Sequence, residues 1–172
     1  MAYAVVRTDR LTGTDDRARL VSVRYNVAST VEGQTVYTPT EIENGSIVLL
    51  GDLEEGSREI YVGTAPAANS ELADVVLIAN PEVMYDERLR GLDKYINPAG
   101  KAIRGYRLHT HDIFSATAEA FDGTPAKGKI VELKAGTKMK VVSSATNGST
   151  GIGKIIDVNV VGSYTYYVVE VG

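Results

Sequence analysis

Cysteine is absent from this chain of 172 residues. Its absence excludes disulfides, thiolate metal ligands and cysteine nucleophiles, so stability must come from burial and strand pairing. No stretch approaches the ~20 consecutive apolar residues of a membrane helix. Met1 to Asp9 lacks the basic start and apolar run of a signal peptide. We therefore expect a protein without a membrane partner, made and kept in a cytoplasm until assembly or lysis releases it.

Basic charge is also scarce in the first half of the chain. Residues 1–90 hold eight arginines and no lysine against fifteen acidic groups (8 − 15 = −7), whereas residues 91–172 hold ten basic and seven acidic groups (10 − 7 = +3). Phosphate binding needs clustered lysine and arginine, and the net charge of −4 argues against a nucleic-acid partner. The charges are interpreted mainly as solvated faces, although the two halves could attract each other or a charged partner.

The chain is rich in residue types that favour strands and turns. There are 17 glycines and ten tyrosines against two phenylalanines and no tryptophan. Short apolar or alternating runs are separated by turns that contain glycine or proline. The predicted strands lie around Val5 and Val6 and at Leu20–Tyr25, Gly45–Gly51, Arg58–Val62, Asp74–Ala79, Tyr106–His111, Ile113–Ala118, Lys129–Lys134, Lys138–Ser143, Lys154–Val161 and Tyr164–Val171.

The spacing of Leu89, Leu92 and Ile96 predicts one short helix between Tyr85 and Ile96, closed by Asn97 and Pro98. The sequence thus predicts a mainly β fold with two small antiparallel β modules, each a barrel or a sandwich, joined by a short helical segment. The predicted limits are residues 1–84 for the first module, 85–104 for the helical linker and 105–172 for the second, barrel-like module.

A glycine-rich segment, Gly148–Lys154, matches the glycine and lysine spacing of a phosphate-binding loop. That loop requires Ser or Thr after the lysine and a helix whose N-terminus meets the phosphates. Here Ile155 follows, and the next residues are typical of a strand. We therefore interpret the segment as a glycine-rich hairpin loop and expect no nucleotide or other cofactor.

The two histidines of the chain, His109 and His111, are the candidates for a metal site. On a strand they would share one face because side chains alternate with period two. Together with Asp112 or a distant Glu they could begin a His-x-His site, which is the basis for an alternative function as a small metal-dependent hydrolase. Structural histidines are the preferred interpretation, so no metal is expected.

Catalytic residues are not indicated elsewhere. The chain has no Gly-x-Ser-x-Gly elbow, and cysteine chemistry is excluded by composition. Pairs of carboxylates such as Glu54 with Glu55, and Asp15 with Asp16, fall in polar turns where solvent keeps their titration ordinary. We therefore expect a protein that is not an enzyme.

The tyrosine-rich last strand suggests binding to another protein. Tyr164 and Tyr166 fall on one face of the strand and Tyr167 on the other, and both faces are largely apolar. Such a strand is either central in a small barrel or covered by a partner, and the core is the preferred interpretation. Tyr164, Tyr166 and Tyr167 are the predicted candidates for partner contact.

Several segments resemble the head-decoration, or capsid cement, proteins of tailed bacteriophages. They are Ala4–Asp9, Ile42–Gly51, Asp112–Ser115, Pro125–Leu133, Val141–Val142 and Tyr166–Val171. The resemblance implies a β-rich virion protein that binds the outside of an icosahedral shell and reinforces it. Its partners would be many copies of the major capsid protein and, alternatively, other copies of itself.

The resemblance implies a location on the capsid exterior, after synthesis in the cytoplasm of the host bacterium, and it brings no catalytic residues. An alternative within the same broad class is a tail, baseplate or fibre component that binds a host glycan through exposed tyrosines.

Overall fold

A computed structural model describes residues 3–7, 19–83 and 91–172 of the chain. Strands account for 49% of it and helical residues for 6%, which confirms the mainly β prediction. The described residues form twelve strands. They are β1 (Leu20–Val31), β2 (Gln34–Pro39), β3 (Ile47–Leu53), β4 (Ile60–Thr64), β5 (Val75–Ile78), β6 (Ile103–Arg107), β7 (Ile113–Ala116), β8 (Phe121–Asp122), β9 (Ile130–Glu132), β10 (Met139–Val142), β11 (Gly151–Val161) and β12 (Tyr164–Val171).

Five strands close into a barrel in the order β1, β4, β3, β5, β6 and back to β1. The pairs are antiparallel except for β1 with β4, which is parallel. The interior is filled by β-branched side chains, among them Val23, Val48 and Val76. Closure leaves no free edge along the five paired strands, and β2 extends outside the barrel as the partner of the far half of β1.

The remaining strands form a curled half-barrel in the order β7, β12, β11, β9, β10, β8. Its longest pairing joins β11 to β12, with an irregularity between Ile155 and Asp157. The chain near the N-terminus joins this sheet, because Val6 forms a bridge with Ala116. Its inner face buries Phe114, Val131 and Ile152.

The two sheets share a core. Ile47, Val75 and Leu77 of the barrel strands belong to the same buried cluster as Phe114 and Leu133 of the half-barrel. Alternation along a strand explains the arrangement: Val76 and Ile78 face the barrel interior, whereas Val75 and Leu77 face the other sheet. Both faces of β5 are therefore buried, as its unbroken apolar run indicates.

The helical prediction is only partly within the described residues. Residues 84–90 lie outside them, and the rest of the predicted helix is a three-residue 3-10 turn, Leu92–Lys94. The described part of residues 85–104 contains no α-helix because Asn97 pairs in an extended conformation with Ile42, through N···O distances of 2.9 and 3.1 Å. Among the described residues, no helix has the length and apolar character needed to cross a membrane.

Sheet membership changes later in the chain than the predicted boundary. Ile103–Arg107 closes the barrel by pairing with β1 and β5, so the last barrel strand spans the predicted boundary at residue 104. The half-barrel begins at Ile113. Whether residues 1–84 and 105–172 form separate modules stays a prediction.

Candidate functional site

A β-hairpin extends from the barrel beyond the point where β1 leaves its barrel neighbours. Barrel pairing of β1 ends at Tyr25, which lies opposite Gly63, and pairing with β2 runs from Asn26 to Val31. Every residue from 27 to 39 is exposed. We call this segment, residues 27–39, the N-terminal arm.

The turn of this arm is encoded by two residues. Glu32 and Gly33 have φ angles of 49° and 80°, and the strands on either side begin pairing at once, with Val31 opposite Gln34. Positive φ at both central residues is the geometry of a type I′ turn, whose twist matches that of the flanking strands. The turn therefore closes the hairpin at the tip of the arm.

The arm exposes apolar side chains and almost no charge. Val31 is 54% exposed and Tyr37 is 51% exposed, with Val27 and Val36 also on the surface. Residues that lie directly opposite one another share a face, so Val27, Val31 and Val36 lie on one face and Tyr37 on the other. Glu32 is the one charged residue in the arm.

A second hairpin extends from the half-barrel in the same manner. Val161 lies opposite Tyr164 across the two-residue turn of Gly162 and Ser163, with φ of 62° at Gly162. Residues 157–163 are all exposed, and Val160 reaches 72%. We call residues 157–165 the C-terminal arm.

An ion pair marks the base of the C-terminal arm. The Lys127 ammonium lies 3.2 Å from the Asp157 carboxylate, and this hydrogen bond lowers the pKa of Asp157 below its ordinary value. From Val158 to Thr165 the arm has no charged residue. Both arms therefore have uncharged strands rich in valine above their bases, and Glu32 adds one charge at the tip of the N-terminal arm.

The three predicted contact tyrosines lie at different depths. Tyr166 is 3% exposed, and the guanidinium of Arg7 lies 5.5 Å from its ring centroid, so the chain itself covers this ring. Tyr167 is half-buried with its ring edge-on to Phe121, at 6.1 Å between centroids. These two side chains support the core interpretation of the strand.

Tyr164 is the predicted contact residue nearest to the C-terminal arm tip. Its hydroxyl donates a hydrogen bond of 3.1 Å to the Asp93 carboxylate, which ties the arm to the segment after residue 91. Partial burial and this bond raise the pKa of Tyr164 above its ordinary value. A role for the three tyrosines in contacting a partner stays a prediction.

The histidines are not on a strand. β6 ends at Arg107, and His109 to Asp112 form a turn in which the Asp112 carboxylate accepts the backbone N–H of His109 at 2.9 Å. His111 takes a φ of 72°, so the strand prediction over this segment was wrong. Its side chain is 83% exposed and lies 3.4 Å from the Glu170 carboxylate. No group of three metal-ligating side chains occurs in the described residues.

The glycine-rich segment is followed by a strand, as predicted. β11 begins at Gly151 and runs through Lys154, so no helix N-terminus points at the loop. The loop is not a hairpin, however: β10 and β11 both pair with β9 and not with each other. The physical reason is that β9 lies between them in the sheet, and the loop crosses its end.

Sequence reasoning missed β2 and with it the N-terminal arm. The sequence does contain a signal for it. Two alternating runs with β-branched residues are separated by only two residues, Glu32 and Gly33, and this is the spacing of a hairpin. Threonine, serine and glutamine gave the stretch a polar appearance, and Glu-Gly is not one of the usual hairpin dipeptides.

These features define the class of fold: a mainly β protein with a closed five-stranded barrel, a curled half-barrel and two exposed hairpin arms. Comparison of the chain with protein-family models, with curated proteins and with solved structures found no match.

Proposed function

We propose that this protein is a non-enzymatic structural protein of a phage virion, which binds the outer surface of the icosahedral capsid and stabilises it. The observation that carries the proposal is the pair of arms. Each is a regular hairpin whose valines lie in solvent, outside both hydrophobic cores. Apolar side chains grouped on an exposed surface mark sites of contact with other proteins.

The chemistry of the arms suits a protein surface. An unpaired charge that is buried at an interface opposes binding. Because the arms have few charges and several valines, a partner protein can cover them without burying such a charge. Contacts limited to single hairpins give weak individual sites, because small interfaces bind weakly. A repeating shell compensates for weak sites, since a protein that bridges neighbouring subunits through two arms gains from multivalency.

The phage shell enters the proposal through the sequence resemblance described above. Five of the six resembling segments contain residues of barrel or half-barrel strands, namely β3, β7, β9, β10 and β12, so the resemblance concerns the scaffold that holds the arms. The major capsid protein, in many copies, is the proposed partner.

Co-sedimentation tests the proposal directly. Purified protein is mixed with shells of the encoding phage that lack it, and we expect it to pellet with them and to raise their melting temperature. Val31→Ser and Val160→Ser should each raise the apparent dissociation constant at least about threefold by removing apolar contact area. Val83→Ser is the matched control, because Val83 is equally exposed at 69% but lies outside both arms.

Two results would count against the proposal. Absence of wild-type protein from the pellet would reject shell binding, and a glycan-array signal in its place would favour the fibre alternative. Equal binding by all three serine variants would reject the arms as the contact site.

A further inference from the structure

The outer edge of β2 presents backbone hydrogen-bonding groups that no other described strand covers. β2 lies at the end of its sheet and pairs with β1 alone. The hydrogen bond at the base of the hairpin shows which of its residue pairs are hydrogen-bonded: the Thr40 N–H donates to the Tyr25 carbonyl at 3.2 Å, so Tyr25 and Thr40 form a hydrogen-bonded pair. Since hydrogen-bonded and non-hydrogen-bonded pairs alternate, Thr35 and Tyr37 belong to non-hydrogen-bonded pairs, with Thr30 and Ala28.

The N–H and C=O groups of Thr35 and Tyr37 therefore point away from β1. Together they offer two donors and two acceptors on alternate residues, which is the pattern that an added strand would satisfy. Pro39 occupies the next position in the same phase and lacks an N–H, so the edge ends there.

Between Thr35 and Tyr37 the edge lacks the usual protection against pairing. Natural proteins guard exposed edges with lysine, proline, inward-pointing charges or bulges, and here the one proline, Pro39, lies at the base of the edge. β2 has no charged residue, and its register with β1 is uninterrupted over six pairs. The C-terminal arm differs, because the Lys127–Asp157 ion pair lies at the base of its exposed edge.

We propose that β2 binds an extended segment of the shell protein by strand addition, and that this segment carries a basic residue where it meets the tip of the arm. The inference rests on the proposed function for the identity of the partner. The charge requirement comes from Glu32 at the tip, which is the one charged residue of the arm. β2 of a second copy would bring no basic side chain to Glu32, so a foreign strand fits the site better.

Lys101 and Arg24 are basic residues near the base of the arm, and Arg24 is paired with Glu54. Lys101 follows Gly100, where an added Cβ would lie 3.9 Å from Pro39. The charge selectivity therefore belongs to the tip, where Glu32 stands alone.

Substitutions at Tyr37 separate backbone from side-chain recognition. Tyr37→Pro removes the outward N–H, and proline is compatible with this phase because Pro39 already stands in it. Tyr37→Ala keeps the N–H and removes the ring. Because each backbone hydrogen bond contributes about 1 kcal/mol net, we expect the proline variant to bind at least about fivefold more weakly, and the alanine variant to stay closer to wild type.

The first measurement is an NMR titration of the full chain with a synthetic peptide of alternating valine and threonine that ends in lysine on both sides. Millimolar peptide should shift the amide signals of Thr35 and Tyr37 most. A matched peptide with glutamate ends should bind more weakly, and Glu32→Lys should reverse that preference. No shift at these amides, or equal binding by Tyr37→Pro, would overturn the inference.

The second measurement repeats shell co-sedimentation with the Tyr37 variants. If wild type binds shells and Tyr37→Pro binds equally well, strand addition fails while the proposed function stands. If wild type does not bind shells, the proposed function fails, and the peptide titration alone decides the chemistry of the edge. Sedimentation equilibrium that shows a wild-type dimer broken by Tyr37→Pro would assign the edge to a second copy and overturn the foreign partner.

Discussion

Gly63 shows how tightly the barrel interior depends on a single residue. It lies in β4 opposite Tyr25, and a Cβ at this position would come within 2.5 Å of Val23 Cγ2 and 2.6 Å of Val48 Cγ1. Both valines are fully buried, so neither can move into solvent. A barrel of five strands has a narrow interior, and the glycine leaves room for the two valines to meet.

Gly63→Ala should therefore lower the free energy of unfolding by about 1–3 kcal/mol through overpacking. Urea denaturation followed by circular dichroism measures the change. Gly151→Ala is the matched control, since Gly151 also lies in a strand but has nothing within 4 Å of an added Cβ, and we expect a change within about 0.5 kcal/mol. If both variants lost similar amounts of unfolding free energy, the loss would come from replacing any strand glycine and not from crowding at Gly63.

At the scale of elements, a buried network of asparagines holds the chain on either side of residues 84–90. Asn97 donates to the Ile42 carbonyl at 2.9 Å and to the Asn44 side chain at 3.0 Å. Asn44 in turn donates to the Asn80 carbonyl at 2.8 Å and to the Glu82 carboxylate at 3.1 Å. Because buried amides need all their partners, this network fixes the extended course of the segment.

Glu82 makes the network sensitive to pH. Burial raises the pKa of this carboxyl above its ordinary value, against the opposing effect of the bond from Asn44. A raised pKa in the folded state means that folding favours the protonated form. The stabilisation is therefore fully present at acid pH, below the ordinary glutamate value, and is lost as pH rises through the raised value.

Glu82→Gln keeps an acceptor for Asn44 and removes the ionisation. We expect the variant to lose less stability than wild type between acid and neutral pH, measured as the difference in urea unfolding free energy at the two conditions. Glu71→Gln is the control, because Glu71 is an exposed carboxylate outside the network. A parallel pH profile for wild type and Glu82→Gln would contradict the assignment.

The elements were predictable where burial is periodic and harder to predict where pairing or turn chemistry decides. The run of Val75 to Ile78 is apolar on both faces and was readable as a strand. The histidine segment was misread because a single carboxylate, Asp112, bends the chain through His109. Threonine and glutamine hid the alternation along β2. The strand is exposed because its hairpin extends beyond the barrel, and no local sequence pattern predicts that extension.

At the scale of the whole molecule, the shared core joins the two sheets. Leu77 is fully buried in a cluster that includes Phe114 and Ile152 of the half-barrel, while its neighbours Val76 and Ile78 fill the barrel. The bridge between Val6 and Ala116 adds a contact from the opposite end of the chain. Which strands pair, and hence which faces meet, depends on contacts distant in sequence, so periodicity predicts strands but not this junction.

The shared core leads to a prediction about cooperativity. If β5 contributes to both cores, neither sheet can unfold without exposing apolar surface of the other, and we expect one transition with a calorimetric enthalpy equal to the van't Hoff enthalpy. Leu77→Ala should lower the free energy of unfolding by about 2–5 kcal/mol and keep the transition single. Two separate transitions in wild type, or a Leu77→Ala variant that shifts only one of them, would instead support independent modules.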